Sequence, residues 1–200
     1  MNLLVVVDMV DGFVNFGALA DKKIDKITPN ITNLIKHINK ENTKVIAFRD
    51  SHNVNDEEFK TFPVHCLKGS LESQFIPQIK ALENQIDLDI EKNTTNGYIT
   101  KKFQKLIKNF TFDNVIVTGC CTDICVLNFV TSYINFIKQN HLKTKIIVVE
   151  DACYTFDGKN HNAQEFHNKA IKKMKEMGAI IKVMDNKNVE TIKNNDCFQN

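Results

Sequence analysis

Three cysteines lie within six positions of one segment, GCCTDICV at residues 119–126, which follows the apolar run NVIVT. Cys125 is predicted to lie in the first turn of a helix, where the helix dipole and free N–H groups favour a thiolate. A thiolate is a nucleophile, whereas buried cysteines more often serve packing. Metal binding by these three cysteines is disfavoured because no C-x2-C pair occurs. A disulfide between the adjacent Cys120 and Cys121 would be strained.

A carboxylate and a lysine end two other strand-like runs. Asp8 follows the apolar residues of LLVVVD, and Lys92 ends the weaker run DLDIEK. The carboxyl ends of parallel strands meet at one edge of a sheet, so both side chains are expected near Cys125. Asp8 would then serve as a base, and Lys92 would keep its carboxylate ionised.

A possible metal site follows the second strand-like run. Asp50 and His52 are two residues apart on an extended segment, so their side chains point to the same face. His65 follows later in the same polar loop, after Phe62 and a proline. One carboxylate with two imidazoles suits Zn, Fe or Mn, although a histidine in a polar loop is also often simply solvated.

The periodicity of the chain predicts the elements that must position these residues. Apolar, β-branched runs predict buried strands, and apolar residues at spacings of three and four predict amphipathic helices between them. The pattern favours one α/β domain over residues 1–200, with an open parallel sheet of about six strands, helices on both faces and a loop at about 50–70. The predicted strands cover residues 3–8, 44–50, 87–92, 114–119, 145–151 and 179–184, and the helices 27–40, 72–84, 98–110, 122–140 and 161–178.

Some helix ends carry recognisable signals. Thr122 and Asp123 are expected to cap the helix of Cys125, and Gly178 is expected to end the last helix. His161 and His167 are six residues apart and are taken as ordinary surface positions. The polar residues 186–200 are expected to fray.

Composition narrows the class of protein. The 200 residues carry 26 basic and 24 acidic side chains, for a net charge of +2 without a basic stripe, which argues against a nucleic-acid partner. No apolar run is long enough to span a bilayer and no signal peptide precedes the first strand, so no membrane association and a cytoplasmic location are expected. The six cysteines should then be thiols. The composition is also compatible with a homo-oligomer.

Taken together, these segments resemble a known family. VVDMVDGFV at residues 6–14, EKNTTNGY at 91–98 and TGCCTDICV at 118–126 are similar, in order and spacing, to the three catalytic segments of the isochorismatase-like cysteine hydrolases. RDSH at 49–52 and EFKTFPVHCLKGS at 58–70 resemble the metal loop of the nicotinamidase branch. The resemblance covers nearly the whole chain and implies the three-layer sandwich of that family.

The resemblance also implies roles for individual residues. Cys125 would be the nucleophile, Asp8 the general base and Lys92 the third member of the triad. The backbone N–H groups of Cys121 and Cys125 would form an oxyanion hole, after a cis peptide bond between Cys120 and Cys121. Cys120 itself would pack.

One divalent metal ion, Zn in preference to Fe or Mn, is implied as a cofactor. Its ligands would be Asp50, His52, Glu58 and His65, with the adjacent Glu57 as an alternative to Glu58. Phe13 and Phe62 would flank a flat substrate ring, and Tyr98 would be a further wall.

The function implied is the hydrolysis of nicotinamide, a small-molecule substrate, to nicotinate and ammonia in NAD salvage through a cysteine thioester. A C–N hydrolase of the same fold that acts on N-carbamoyl or ureido compounds is the alternative. A vinyl-ether isochorismatase needs no cysteine, so Cys125 argues against it. Outside the enzymes, a metal-holding or redox-sensing module would also use the cysteines and the metal loop.

Overall fold

The chain folds around a six-stranded parallel sheet with the strand order β3-β2-β1-β4-β5-β6. The computed structural model describes residues 1–184, so the expected fraying of residues 186–200 lies outside the described residues. The predicted fold class is confirmed. The strands are β1 (Asn2–Val7), β2 (Thr43–Asp50), β3 (Leu88–Lys92), β4 (Asn114–Cys120), β5 (Lys145–Tyr154) and β6 (Ile180–Lys182).

Helices cover both faces of this sheet. Leu4 and Val6 of β1 face one apolar cluster, and Leu3, Val5 and Val7 face the other. Because β1 is central and covered on both sides, all six of its residues are buried, which explains its continuous apolar sequence.

The helices are α1 (Asp11–Val14), α2 (Thr28–His37), α3 (Pro77–Lys80), α4 (Lys101–Asn109), α5 (Leu127–Gln139) and α6 (Ala163–Met177). Short 3-10 turns lie at Lys22–Ile27, Glu57–Lys60, Glu83–Gln85 and Gly97–Ile99.

The prediction of a helix over residues 72–84 was wrong for most of its length. Only α3 and a 3-10 turn form there. The residues before Pro77 instead pair with the start of the chain: Gly12 N–H donates to the Glu72 carbonyl and Ile76 N–H donates to the Met9 carbonyl. These long-range hydrogen bonds outweigh the local helical pattern.

The two helix-end predictions had different outcomes. Gly178 ends α6 in the left-handed conformation, with φ of 112°, as predicted. Thr122 and Asp123 do not cap α5. They begin a π-helical turn, Thr122–Val126, and their side chains bind two imidazoles instead of the backbone.

No helix in residues 1–184 is both long enough and apolar enough to cross a membrane.

Gly119 sets the distance between the two strands that carry the predicted base and the nucleophile turn. It adopts a φ of 111°, and a Cβ atom at this position would lie 2.1 Å from the carbonyl oxygen of Val7. The register of β4 against β5 shifts between Val117 and Gly119. A side chain here would therefore push β4 away from β1, directly below Asp8.

Replacing Gly119 by alanine tests this contact, and Gly178 offers a matched control. Gly178 has nearly the same φ, 112°, but no atom within 4 Å of an added Cβ. Gly178→Ala should lower the free energy of unfolding by about 1 kcal/mol, from backbone strain alone. Gly119→Ala adds a steric clash and should lower it by about 3 kcal/mol or more. Urea denaturation measures both, and equal losses would contradict the role given to Gly119.

Candidate active site

The site lies where four adjacent strands end. Asp8 follows β1, Asp50 ends β2, Lys92 ends β3, and the turn with Cys125 follows β4. Asp50 and Lys92 are direct partners in the parallel register of β2 and β3. The strand order thus places these carboxyl ends side by side, as expected for ligand sites in open α/β sheets.

Lys92 lies at the centre of the charged groups. Its ammonium Nζ is 2.8 Å from Asp8 Oδ2, 2.6 Å from Asp50 Oδ1 and 3.8 Å from the sulfur of Cys125. All four residues are buried. The structure therefore brings Asp8, Lys92 and Cys125 together, and Lys92 joins them to the first residue of the metal loop.

Asp8 exchanges a proton near neutral pH. Burial raises its pKa strongly, the Lys92 ammonium lowers it, and the Asp50 carboxylate raises it again, with the result that its pKa lies at about 7. Burial disfavours the charged form of Lys92, but the two carboxylates outweigh this and hold its pKa well above the usual value. The site therefore pairs a permanent cation with a carboxylate that can both accept and return a proton.

The backbone of Asp8 is strained, which points to a functional site. Its φ of 51° lies in the left-handed region, where a residue with a Cβ is disfavoured by about 1–2 kcal/mol. Three hydrogen bonds hold it there: Asp8 N–H donates to the Phe48 carbonyl, and the Asp8 carbonyl accepts from Val10 N–H and the Cys120 thiol. Cys120 thus packs against Asp8, at 0% exposure.

Cys125 lies in the π-helical turn, and its resting state differs from the one expected. Burial is the main cause that raises the pKa of its thiol well above the usual value; the Lys92 ammonium opposes this, and the Asp8 and Asp50 carboxylates add to it. Burial therefore favours the thiol form of Cys125, in the opposite direction to the helix-dipole argument. The peptide bond between Cys120 and Cys121 is cis, as predicted.

A cluster of four possible metal ligands adjoins this group. The donor atoms of Asp50, His52, Glu58 and His65 all lie within 4.8 Å of one another. Asp50 Oδ2 is 2.9 Å from His52 Nε2 and 3.0 Å from His65 Nε2, and Glu58 Oε1 is 3.9 and 4.0 Å from the same nitrogens. Glu57 is not near them, since its exposed carboxylate pairs with Lys60 at 2.6 Å.

The groups that face the Nδ1 atoms of the two imidazoles fit a cation between the four donors. His65 Nδ1 is 2.7 Å from the Pro63 carbonyl, which only accepts, so Nδ1 carries a hydrogen and Nε2 is free to offer a lone pair. His52 Nδ1 lies 3.3 Å from Asp56 Oδ2, a carboxylate placed like those that support metal-bound histidines. Two imidazoles and two carboxylates suit Zn, Fe or Mn.

The loop that carries these ligands is tied at its base. His52 N–H donates to the Cys66 carbonyl at 2.9 Å, and the His52 carbonyl accepts from Lys68 N–H at 2.8 Å. His52 and His65 are consequently held close together by the backbone.

A cavity of about 380 Å³ opens between the cluster and Cys125. Phe13 and Phe62 line it, as expected, but Tyr98 does not. The Tyr98 ring packs against the rings of Phe103 and other aromatic residues of the second core cluster, so its prediction as a pocket wall is corrected. The remaining lining residues are Ala18, Leu19, Ala20, Asp21, Asp50, Glu58, His65, Thr95, Cys121, Ile124, Cys125, Phe156 and Asp157.

Phe156 was missed because β5 is longer than its sequence pattern suggests. The predicted strand ended at residue 151, whereas β5 continues to Tyr154. Phe156 therefore lies at the carboxyl end of a strand, at the same edge of the sheet as the other site residues. The polar residues Glu150 and Asp151 inside the run concealed this continuation.

His161 and His167 are not surface residues, contrary to the prediction. His161 precedes α6 and its ring is held by Asp123, with 2.7 Å between His161 Nε2 and Asp123 Oδ2. His167 is 4% exposed, and its Nδ1 lies 3.0 Å from the Thr122 hydroxyl. Burial is the largest cause that lowers the pKa of His167, to about 4. A helical pattern alone does not show that a neighbouring turn will take up these imidazoles.

The five described cysteines, Cys66, Cys120, Cys121, Cys125 and Cys153, are free thiols.

Comparisons with known proteins identify relatives of this chain. The model of the isochorismatase domain matches residues 2–185. Nicotinamidase 1 of Arabidopsis thaliana is 29% identical over 178 residues, which cover 81% of this chain and 72% of that protein.

Two solved structures show the same fold. The pyrazinamidase/nicotinamidase of Streptococcus mutans superposes with a TM-score of 0.77 at 22% identity, over 90% of this chain and 99% of that one. The pyrazinamidase of Pyrococcus horikoshii, solved in complex with zinc, superposes with a TM-score of 0.70 at 22% identity, over 92% and 98% of the two chains.

Two adjacent glutamates, Glu58 and Glu57, allow a test of the candidate metal ligands. Glu58→Ala removes a donor from the cluster and should weaken zinc binding at least about tenfold. Glu57→Ala changes a neighbouring carboxylate whose side chain is 83% exposed, and should leave zinc affinity unchanged. Competition with a chromophoric zinc chelator measures both affinities. Equal losses in the two variants would exclude Glu58 as a ligand.

Proposed function

Since this chain belongs to the isochorismatase family of hydrolases, we propose that it hydrolyses nicotinamide to nicotinate and ammonia, as a step of NAD salvage. One observation carries the proposal: an aromatic-lined cavity has on its walls three of the four candidate metal ligands, Asp50, Glu58 and His65, together with Cys125. A flat pyridine carboxamide offers a face for the phenyl rings, a ring nitrogen for a metal and a carbonyl carbon for the sulfur. The similarity to the Arabidopsis nicotinamidase supports the same substrate.

The charges of the cavity favour a neutral substrate. Among the described residues that line it there is no lysine or arginine, whereas Asp21, Asp50, Glu58 and Asp157 are acidic. An N-carbamoyl amino acid carries a carboxylate, which would find no lysine or arginine partner among these lining residues. Nicotinamide carries no charge. The charge distribution therefore favours nicotinamide over the ureido alternative.

In the first chemical step Asp8 accepts the proton of the Cys125 thiol as the sulfur bonds to the carboxamide carbon. The pKa of Asp8, at about 7, makes it a base matched to neutral pH. Lys92 stabilises the negative charge that passes between the carboxylate and the sulfur, because its ammonium contacts both. The carbonyl oxygen becomes an oxyanion, and the backbone N–H groups of Cys121 and Cys125 are proposed to donate to it.

In the next step the C–N bond breaks. Protonated Asp8 returns its proton to the departing nitrogen, which leaves as ammonia, and a thioester with Cys125 remains. Water then gives a proton to Asp8 and adds to the thioester carbon. The C–S bond breaks, the acid is released, and Asp8 reprotonates the sulfur.

The residues that would hold a metal are Asp50, His52, Glu58 and His65. A divalent ion bound there would supply an anchor for the ring nitrogen and so help to orient the amide. Phe13 and Phe62 restrict the plane of the ring beside it. Orientation of this kind lowers the barrier without taking part in bond cleavage.

Ammonia release from nicotinamide tests the substrate and the nucleophile together. The wild type should release ammonia from nicotinamide, and Cys125→Ala should lower the rate about ten thousandfold or more. Cys153→Ala is the matched control, because Cys153 is equally buried but does not line the cavity, and should stay active. N-carbamoylsarcosine should be a poor substrate. Ammonia from that compound and none from nicotinamide would refute the assignment.

The pH dependence follows from Asp8. Its carboxylate must be ionised to accept the thiol proton, and its pKa is about 7, so kcat/KM for nicotinamide should rise with pH through about 7 and level off above it. The raised pKa values of Lys92 and Cys125 place their titrations at higher pH. Rates measured from about pH 5 to pH 9 give the profile. A rate that falls between pH 6 and pH 8 would contradict Asp8 as the base.

A further inference from the structure

His161 lies in the turn that joins β5 to α6, next to one wall of the cavity. The backbone closes this turn, since Gly158 N–H donates to the His161 carbonyl at 2.8 Å. The His161 side chain is only 16% exposed. The chemistry proposed above gives this partly buried imidazole no task.

Two phenyl rings enclose the imidazole. The Phe156 ring lies parallel to it, with centroids 4.1 Å apart and planes 2° apart, and the Phe166 ring covers its other face at 3.8 Å. Phe156 lines the cavity, whereas Phe166 of α6 does not. His161 therefore packs directly behind Phe156, which forms part of the cavity wall. Stacking of the rings stabilises this wall in addition to the burial of apolar surface.

Both ring nitrogens of His161 face acceptors. Nδ1 is 2.8 Å from the Phe156 carbonyl, and Nε2 is 2.7 Å from Asp123 Oδ2. A carbonyl and a carboxylate only accept, so both bonds form together when both nitrogens carry hydrogens. The other oxygen of Asp123 is buried and has no hydrogen-bond partner in the described part of the chain. His161 is thus the side chain that satisfies this carboxylate.

Asp123 connects His161 to the nucleophile. It lies in the turn Thr122–Val126, directly before Ile124, which lines the cavity, and two residues before Cys125. One imidazole is consequently bonded to the Phe156 wall on one side and to the Cys125 turn on the other.

We propose that His161 is a positioning residue that fixes the Phe156 wall relative to the Cys125 turn, and thereby fits the cavity to a flat six-membered ring. This inference rests on the proposed hydrolysis of an aromatic amide. His161 acts on the wall and the turn rather than on the reacting atoms. Its loss should therefore weaken binding of the ring more than it slows the chemistry.

Kinetics of two histidine variants test the proposal. His161→Phe keeps a ring in the stack but removes both hydrogen bonds, and should raise KM for nicotinamide about tenfold while kcat changes less than about threefold. His167→Phe is the matched control: His167 binds Thr122 of the same turn and packs on Tyr154, but neither partner lines the cavity. Its KM should stay within about twofold of wild type. Equal effects in the two variants would overturn the proposal.

Binding measured without turnover separates this inference from the proposed function. In a Cys125→Ala background, benzamide offers a flat ring without a ring nitrogen, and NMR titration gives its Kd. Adding His161→Phe should raise that Kd about tenfold, and adding His167→Phe should not. If His161→Phe does not fold by circular dichroism, His161→Gln keeps one donor and serves instead.

The outcomes are distinct. A wild type that releases no ammonia from nicotinamide refutes the proposed function. An unchanged benzamide Kd in the His161 variant refutes the role of His161.

Discussion

The site depends on the ammonium of Lys92, which lies between two buried carboxylates at 2.8 and 2.6 Å. A buried charge without a partner would cost several kcal/mol, and the cation lowers this cost for both carboxylates by favouring their ionised forms. Asp8 belongs to the group around the thiol and Asp50 to the metal cluster. The Lys92 ammonium, from β3, therefore joins the two groups of residues. These groups follow three neighbouring strands, β2, β1 and β4.

The sheet topology makes this arrangement possible. With β1 at the centre and β2 and β4 on either side, the ends of three strands must lie within reach of one another. Gly119 allows β4 to approach the carbonyl of Val7, which keeps the turn with Cys125 close to Asp8. The fold thus brings the candidate site residues together through packing of the apolar core, which includes Cys125 itself.

The sequence was sufficient to predict the sheet, its helices and the group of Asp8, Lys92 and Cys125, because buried strands and their charged ends have strong local patterns. The four candidate metal ligands, which the structure brings together, were predicted from the D-x-H spacing and the resemblance. The sequence was insufficient where contacts between distant segments decide the local structure. Residues 72–76 pair with the start of the chain instead of forming a helix. The protonation of Cys125 depends on burial, and the surroundings of His161 depend on rings and a turn brought together only by folding.

The closed base of the metal loop has a consequence for how that site works. Backbone bonds between His52, Cys66 and Lys68 already hold the two imidazoles together, so the chain has little freedom left to lose when an ion arrives. Residues 53–64 form the part of the loop that lies between the two histidines. Substitution of Phe62 in this segment would therefore alter the cavity wall, while Asp50, His52 and His65 stay held by the sheet edge and the backbone of the loop base.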